Sequence, residues 1–133
     1  MRPRPAAGAL PRTRGVRAGL VCLGAVGVAY LVSAVFRCDP GCPSTGSLAQ
    51  SIHNGFGLLE YVGALAGFGL LAAALPSPAC ALAGLLVGAG FAGMLTPSLE
   101  PFRGASRRLA EAAIFGWIAY ASVPLLRPDE EAR

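Results

Sequence analysis

The sequence predicts an all-α membrane protein built as an antiparallel, up-down transmembrane four-helix bundle, and three observations carry that prediction. Hydrophobic residues make up 54% of the 133-residue chain and charged residues only 14%, against about 25% in a soluble domain. The apolar residues gather into four runs, each near the length a spanning helix needs. Every arginine lies outside those runs. Any one run alone is ordinarily a buried soluble helix. Four together leave too little polar surface to cover a soluble core.

The first run, Ala18–Phe36, holds nineteen residues without a charge. Its basic leader and apolar core have the outline of a signal peptide. The core is long for that role, no small-x-small cleavage site follows, and Arg37 directly before Cys38 argues against a lipoprotein signal. A retained anchor is the reading. The second run is Gly55–Leu75, the third Ala79–Leu95 and the fourth Leu109–Leu126. Pro76-Ser77-Pro78 predicts a tight antiparallel pair of the second and third helices, Thr96-Pro97 ends the third, and Pro128 closes the fourth. Residues 1–15, rich in Pro, Arg and Gly, read as a disordered basic leader. Residues 16–127 form the membrane domain and 128–133 a short acidic tail.

Arginine placement sets an orientation. Arg2, Arg4, Arg12, Arg14 and Arg17 precede the first run, which puts the N-terminus in the cytoplasm. Four crossings return the C-terminus to the same side of the cell membrane. Arg127 and Arg133 join the inside set, while Arg37, Arg103, Arg107 and Arg108 face outward. These arginines flank apolar runs and form no stripe with interleaved aromatics, so nucleic acid is not an expected partner. The bilayer is, together with a second copy or another membrane protein.

Small residues mark the helix faces. Gly63 and Gly67 lie four apart in the second run, Gly84 and Gly88 four apart in the third. Such spacing permits close backbone contact and predicts that the two glycine faces meet, with homodimerisation through the same motif as the alternative. Polar residues inside the membrane are costly and normally face a bundle interior, a partner or water. Glu60 lies within the second run and Glu111 just inside the fourth. His53 and Glu60 are two turns apart on one stripe with Gly57, Ala64 and Gly67, and Arg107 can pair with Glu111 four residues on. In the assigned topology, Arg37, Asp39, His53, Glu60, Arg107 and Glu111 gather on the outer side as a candidate polar pocket.

Between the first two runs stands Arg37-Cys38-Asp39-Pro40-Gly41-Cys42-Pro43. Asp39-Pro40-Gly41-Cys42 fits a type II turn, with Pro at the first central position and Gly supplying positive φ at the second. That turn brings Cys38 and Cys42 within reach of a disulfide, and an extracytoplasmic loop allows oxidation. A metal site on Cys38, Cys42 and His53, with Asp39, a redox-active pair and two free thiols are the alternatives. Turn and compartment favour the structural disulfide; no metal and no cofactor are assigned. Cys22 and Cys80 read as apolar packing. No hydrolase, kinase, nucleotide-binding or zinc-protease motif is present, and the Gly-rich stretch 84–93 lies inside an apolar run, away from any phosphate cradle.

Phe36-Arg37-Cys38-Asp39-Pro40-Gly41-Cys42-Pro43, followed by Ser51-Ile52-His53 at the start of the second run, resembles bacterial multi-span proteins grouped as domain of unknown function 998. Gly104-Ala105-Ser106-Arg107-Arg108-Leu109, with Trp117 in the next helix, is similar to the same family. The resemblance implies an integral membrane protein, here a short member with four spans where six or more are common. It supplies no activity and no catalytic residues. The functional expectation is a binding, scaffold or accessory membrane protein with an outward Cys loop and a polar outer pocket. A membrane enzyme, thiol-redox or lipid-modifying, using Cys38/Cys42 or His53/Glu60, is the alternative, and a transporter subunit the weaker one.

Overall fold

The computed structural model describes residues 13–75 and 77–126, with side chains up to residue 123. The leader residues 1–12, Pro76 and the tail from Arg127 onward lie outside the described residues, and with them most of the expected leader, the acidic tail and Pro128. Four helices follow in chain order: α1 Arg14–Val35, α2 Leu48–Ala74, α3 Pro78–Leu95 and α4 Arg103–Leu126, with a 3-10 turn at Pro97–Phe102 leading into α4. No strand occurs among the described residues. The fold is the expected all-α bundle.

Helix ends extend beyond the apolar runs because caps, not hydropathy, decide where hydrogen bonding begins. Thr13 caps α1 by accepting from the Val16 N–H, and Ser47 caps α2 by accepting from the Gln50 N–H. α2 therefore starts seven residues before the apolar run at Gly55. Pro78 opens α3 at a position where its missing N–H costs nothing. At the other end the 3-10 turn shortens the expected third loop, and α4 begins at Arg103, so Arg107 and Arg108 are helical residues.

α1, α2 and α3 are long and apolar enough to cross a membrane. α4 carries Arg103, Arg107, Arg108 and Glu111 in its N-terminal turns and is largely apolar beyond them. Away from the helix ends the outward faces are largely apolar: Val21, Leu31, Leu85 and Tyr120 are all well exposed. A soluble protein seldom presents so much contiguous apolar surface. Inside, α1 buries Val16, Gly19, Leu23, Val26 and Ala29, and α3 buries Cys80, Ala83, Val87, Gly90 and Gly93. Both sets follow the three- and four-residue spacing of a single helical face.

The bundle is two tight pairs, α1/α2 and α3/α4, joined across α2/α3. Here the structure corrects the expected meeting of glycine faces. Gly67 packs on α1: a methyl there would fall 2.8 Å from Leu23 Cγ and 3.1 Å from the Gly19 carbonyl oxygen. Gly63 also faces α1, at the Cys22 carbonyl oxygen and Val26. Gly84 and Gly88 face Phe68 and Leu65 on another side of α2. α3 meets α4 through Gly90, where a methyl would lie 2.5 Å from the Ser106 carbonyl oxygen and 2.9 Å from Ala110 Cβ. The α2 glycines are thus spent on α1, whose own Gly19 answers Gly67. Three aromatic pairs close the core: Tyr61 stacks on Phe91 at 5.3 Å, while Phe68 meets Trp117 at 5.4 Å and Tyr30 meets Phe115 at 5.2 Å edge to face.

Candidate functional site

The loop from Arg37 to Ser47 is held from both sides. Within it, the Cys42 N–H donates to the Asp39 carbonyl at 2.8 Å and Gly41 takes φ +83°, the geometry of the expected type II turn. Cys38 and Cys42 are joined as a disulfide with their Cα atoms 5.1 Å apart. The Asp39 carboxylate accepts from the Ser47 N–H and the Ser47 hydroxyl, both at 2.8 Å. Those two donors hold the Asp39 carboxyl below its usual range. Gly46 is required beside it, since a methyl there would collide with Asp39 Oδ2.

Gln50, fully buried in the first turn of α2, ties the loop down. Its Oε1 accepts from the Asp39 N–H at 2.7 Å, and its Nε2 donates to the Pro43 carbonyl at 2.7 Å and to Asn54 Oδ1 at 2.8 Å. Asn54 in turn donates to the carbonyls of Pro43 and Ser44. His53 bridges to α1, its Nδ1 lying 3.1 Å from the Ser33 carbonyl oxygen and 3.0 Å from that of Phe36. Both neighbours are carbonyl acceptors, so Nδ1 is the donor in these contacts. One imidazole nitrogen and the two sulfurs lie within 4.8 Å of one another. In the disulfide state the sulfurs are bonded to each other and offer no thiolate to a cation.

Below this loop lies a cavity of about 470 Å³, within the size range of ligand pockets, roughly 300–1,000 Å³. Its upper wall is the disulfide loop, at Gly41 to Ser44, and its sides are α2, α3 and the start of α4. Leu58, Phe91, Met94 and Leu95 give it apolar walls. Ser33, His53, Asn54, Glu60, Arg103 and Arg107 supply the polar ones. Glu60 is only 2% exposed, and its Oε1 is buried with no hydrogen-bond partner among the described residues; Ser33 Oγ is in the same condition. Leaving such an atom unpaired in protein costs about 1–3 kcal/mol, more for a charged group.

Arg107, which lines the cavity with Glu60, and its neighbour Arg108 are both engaged by Glu111. Arg107 Nε donates to Glu111 Oε1 at 2.7 Å and Arg108 Nη1 to Oε2 at 2.8 Å, so both carboxylate oxygens of Glu111 are taken within α4. Of the six expected pocket residues, His53, Glu60 and Arg107 line the cavity. Arg37, Asp39 and Glu111 do not: Arg37 is exposed in the loop, Asp39 holds the loop to α2, and Glu111 braces two arginines. Sequence reasoning missed Ser33 and Tyr61, which read as ordinary residues of apolar runs, and Gln50 and Asn54 as loop anchors. The spacing of those last two, four residues apart on one face, was the available signal.

An all-helical bundle with three helices long and apolar enough to cross a membrane has the build of a helical membrane protein. Residues 5–124 match the family described as "Protein of unknown function (DUF998)". The chain belongs to that family, as the Cys loop and the α4 motif had suggested. No curated protein and no solved structure matched the chain.

Proposed function

We propose that this chain is a membrane binding or accessory protein that holds a small polar molecule, or the polar end of an amphiphile, in the cavity under the Cys loop. The buried, unpartnered Glu60 Oε1 at the wall of that cavity carries the reading. A buried carboxyl oxygen with no partner among the described residues, at the wall of a cavity, is a site for a donor that those residues do not supply. In this reading the N- and C-termini are cytoplasmic, the loop and cavity face outward, and α4 completes a four-span bundle. Partners are the bilayer and a second copy or another membrane protein.

Gly57 offers a test, because it lines the cavity and a Cβ added there meets nothing within 4 Å. Gly57→Phe places a ring beside that space, and an unchanged thermal midpoint in detergent checks that the bundle is kept. Native mass spectrometry of the protein released from nanodiscs of bacterial polar lipid should show a retained adduct on the parent chain and its loss from the variant. An adduct retained equally by both would place binding elsewhere and defeat the proposal.

The disulfide beside His53 supports a second reading, a thiol-redox enzyme. Thiol trapping in native membranes separates it from a structural staple. A staple stays oxidised unless reductant is added. A pair that is partly reduced at rest and shifts with the redox poise of the membrane would favour the enzyme.

A further inference from the structure

Glu60 shares the cavity lining with Arg103 and Arg107, and no hydrogen bond or ion pair joins it to either among the described residues. Glu60 and Ser33 present buried oxygen atoms with no partner among the described residues. Arg107 borders the same space but its Nε is spent on Glu111. Arg103 stands exposed at the rim and makes no ion pair among the described residues. An amphiphile bearing only a cation would pair with Glu60 but meet repulsion from both arginines, and one bearing only an anion would face the reverse. A group carrying both signs meets neither penalty.

Resting on the binding role proposed above, we propose that the cavity takes a zwitterionic headgroup: a primary amine donating to Glu60 and Ser33, and an anionic phosphate or carboxylate against Arg103. A primary ammonium suits the inner end because it brings three donors to two orphaned oxygens, whereas a quaternary trimethylammonium brings none. Arginine suits the outer end because its planar fork matches the oxygens of a phosphate or carboxylate. Leu58 and Leu95 line the cavity and are themselves well exposed, so an attached chain has an apolar way out toward the lipid. The headgroup chemistry is shared by an aminophospholipid and by a free aminoalkyl phosphate.

Calorimetric titration of the full chain in a neutral maltoside micelle tests this with three probes: lysophosphatidylethanolamine, lysophosphatidylglycerol of the same acyl chain, and free O-phosphoethanolamine. The amine-bearing lysolipid should bind one per chain, about tenfold more tightly than the glycerol form, with Glu60→Gln abolishing that preference. Arg103→Gln, at an exposed position where folding is not at stake, should weaken the amine-bearing probe several-fold. Binding of free O-phosphoethanolamine with the same dependence on Glu60 identifies a soluble zwitterion as the occupant, and binding of the acylated form alone identifies a lipid. Equal affinity for the two lysolipids, or affinity indifferent to both variants, overturns the zwitterion while leaving an amphiphile pocket. If no probe binds either the parent chain or its variants, both proposals fall.

Discussion

Asp39 shows how one residue organises the loop. Its carboxylate receives two donors from Ser47, while its own N–H is held by Gln50 Oε1. A carboxyl whose folded pKa lies below its ordinary value near 3.8 adds stability that is fully present above that value. The contribution is lost as pH falls through the depressed folded value. Reduction of Cys38–Cys42 by a phosphine, corrected for the reductant's own titration, should therefore hold steady from neutral pH down to the ordinary carboxyl value near 3.8 and quicken only below it. In Asp39→Asn the corrected rate should already be raised near neutral pH and should change little on acidification. A parent chain whose corrected rate ignores pH would remove Asp39 from any role in holding the loop. At this scale the sequence was partly legible. Pro40-Gly41 announced the turn and the two cysteines their bond. The bond between Asp39 and Ser47 joins residues eight apart through a fold-back that no local pattern encodes.

Helix pairing is decided by where backbones can touch. In lipid there is little hydrophobic drive between apolar helices, so close packing carries the association. Gly19 with Gly67, and Gly90 with Ser106 and Ala110, are the two closest crossings. Gly90→Ala would drive a methyl into the Ser106 carbonyl and should destabilise the bundle by about 1–3 kcal/mol. Gly24→Ala, whose added methyl meets nothing within 4 Å, should be neutral or slightly stabilising. Thermal unfolding in detergent followed by circular dichroism distinguishes the pair. Equal midpoints would mean that the α3/α4 crossing does not limit stability. Small-xxx-small spacing in α2 and α3 was visible in the sequence, but not its partners. A spacing tells which face is small, whereas the partner depends on which helix the turn geometry brings against that face.

Across the whole molecule, the polar groups gather at one end of an otherwise apolar bundle, where the Cys loop closes over the cavity. The proposal that this end faces outward rests on the arginine distribution, and it is directly measurable. Thr45→Cys, in the exposed loop after the turn, should react with an impermeant maleimide on intact cells. Ser77→Cys, between α2 and α3, should react only after the membrane is opened. The reverse pattern would invert the topology, placing the cavity on the cytoplasmic side and the disulfide in a reducing compartment.

By itself the sequence determined the helical class, the apolar runs, the turn at Pro40-Gly41 and the family, because each rests on composition or on residues adjacent in the chain. It also marked His53, Glu60 and Arg107, since a polar residue in or beside an apolar run stands out on one strand of text. Tertiary structure alone decided that α2 spends its glycines on α1, that Glu111 rather than Glu60 takes the arginines, and that Ser33 of α1 shares a cavity with Glu60 of α2. These are pairings across elements. They depend on how each helix is rotated about its axis when all four pack at once, and a polar atom's satisfaction is known only when every neighbour is in place.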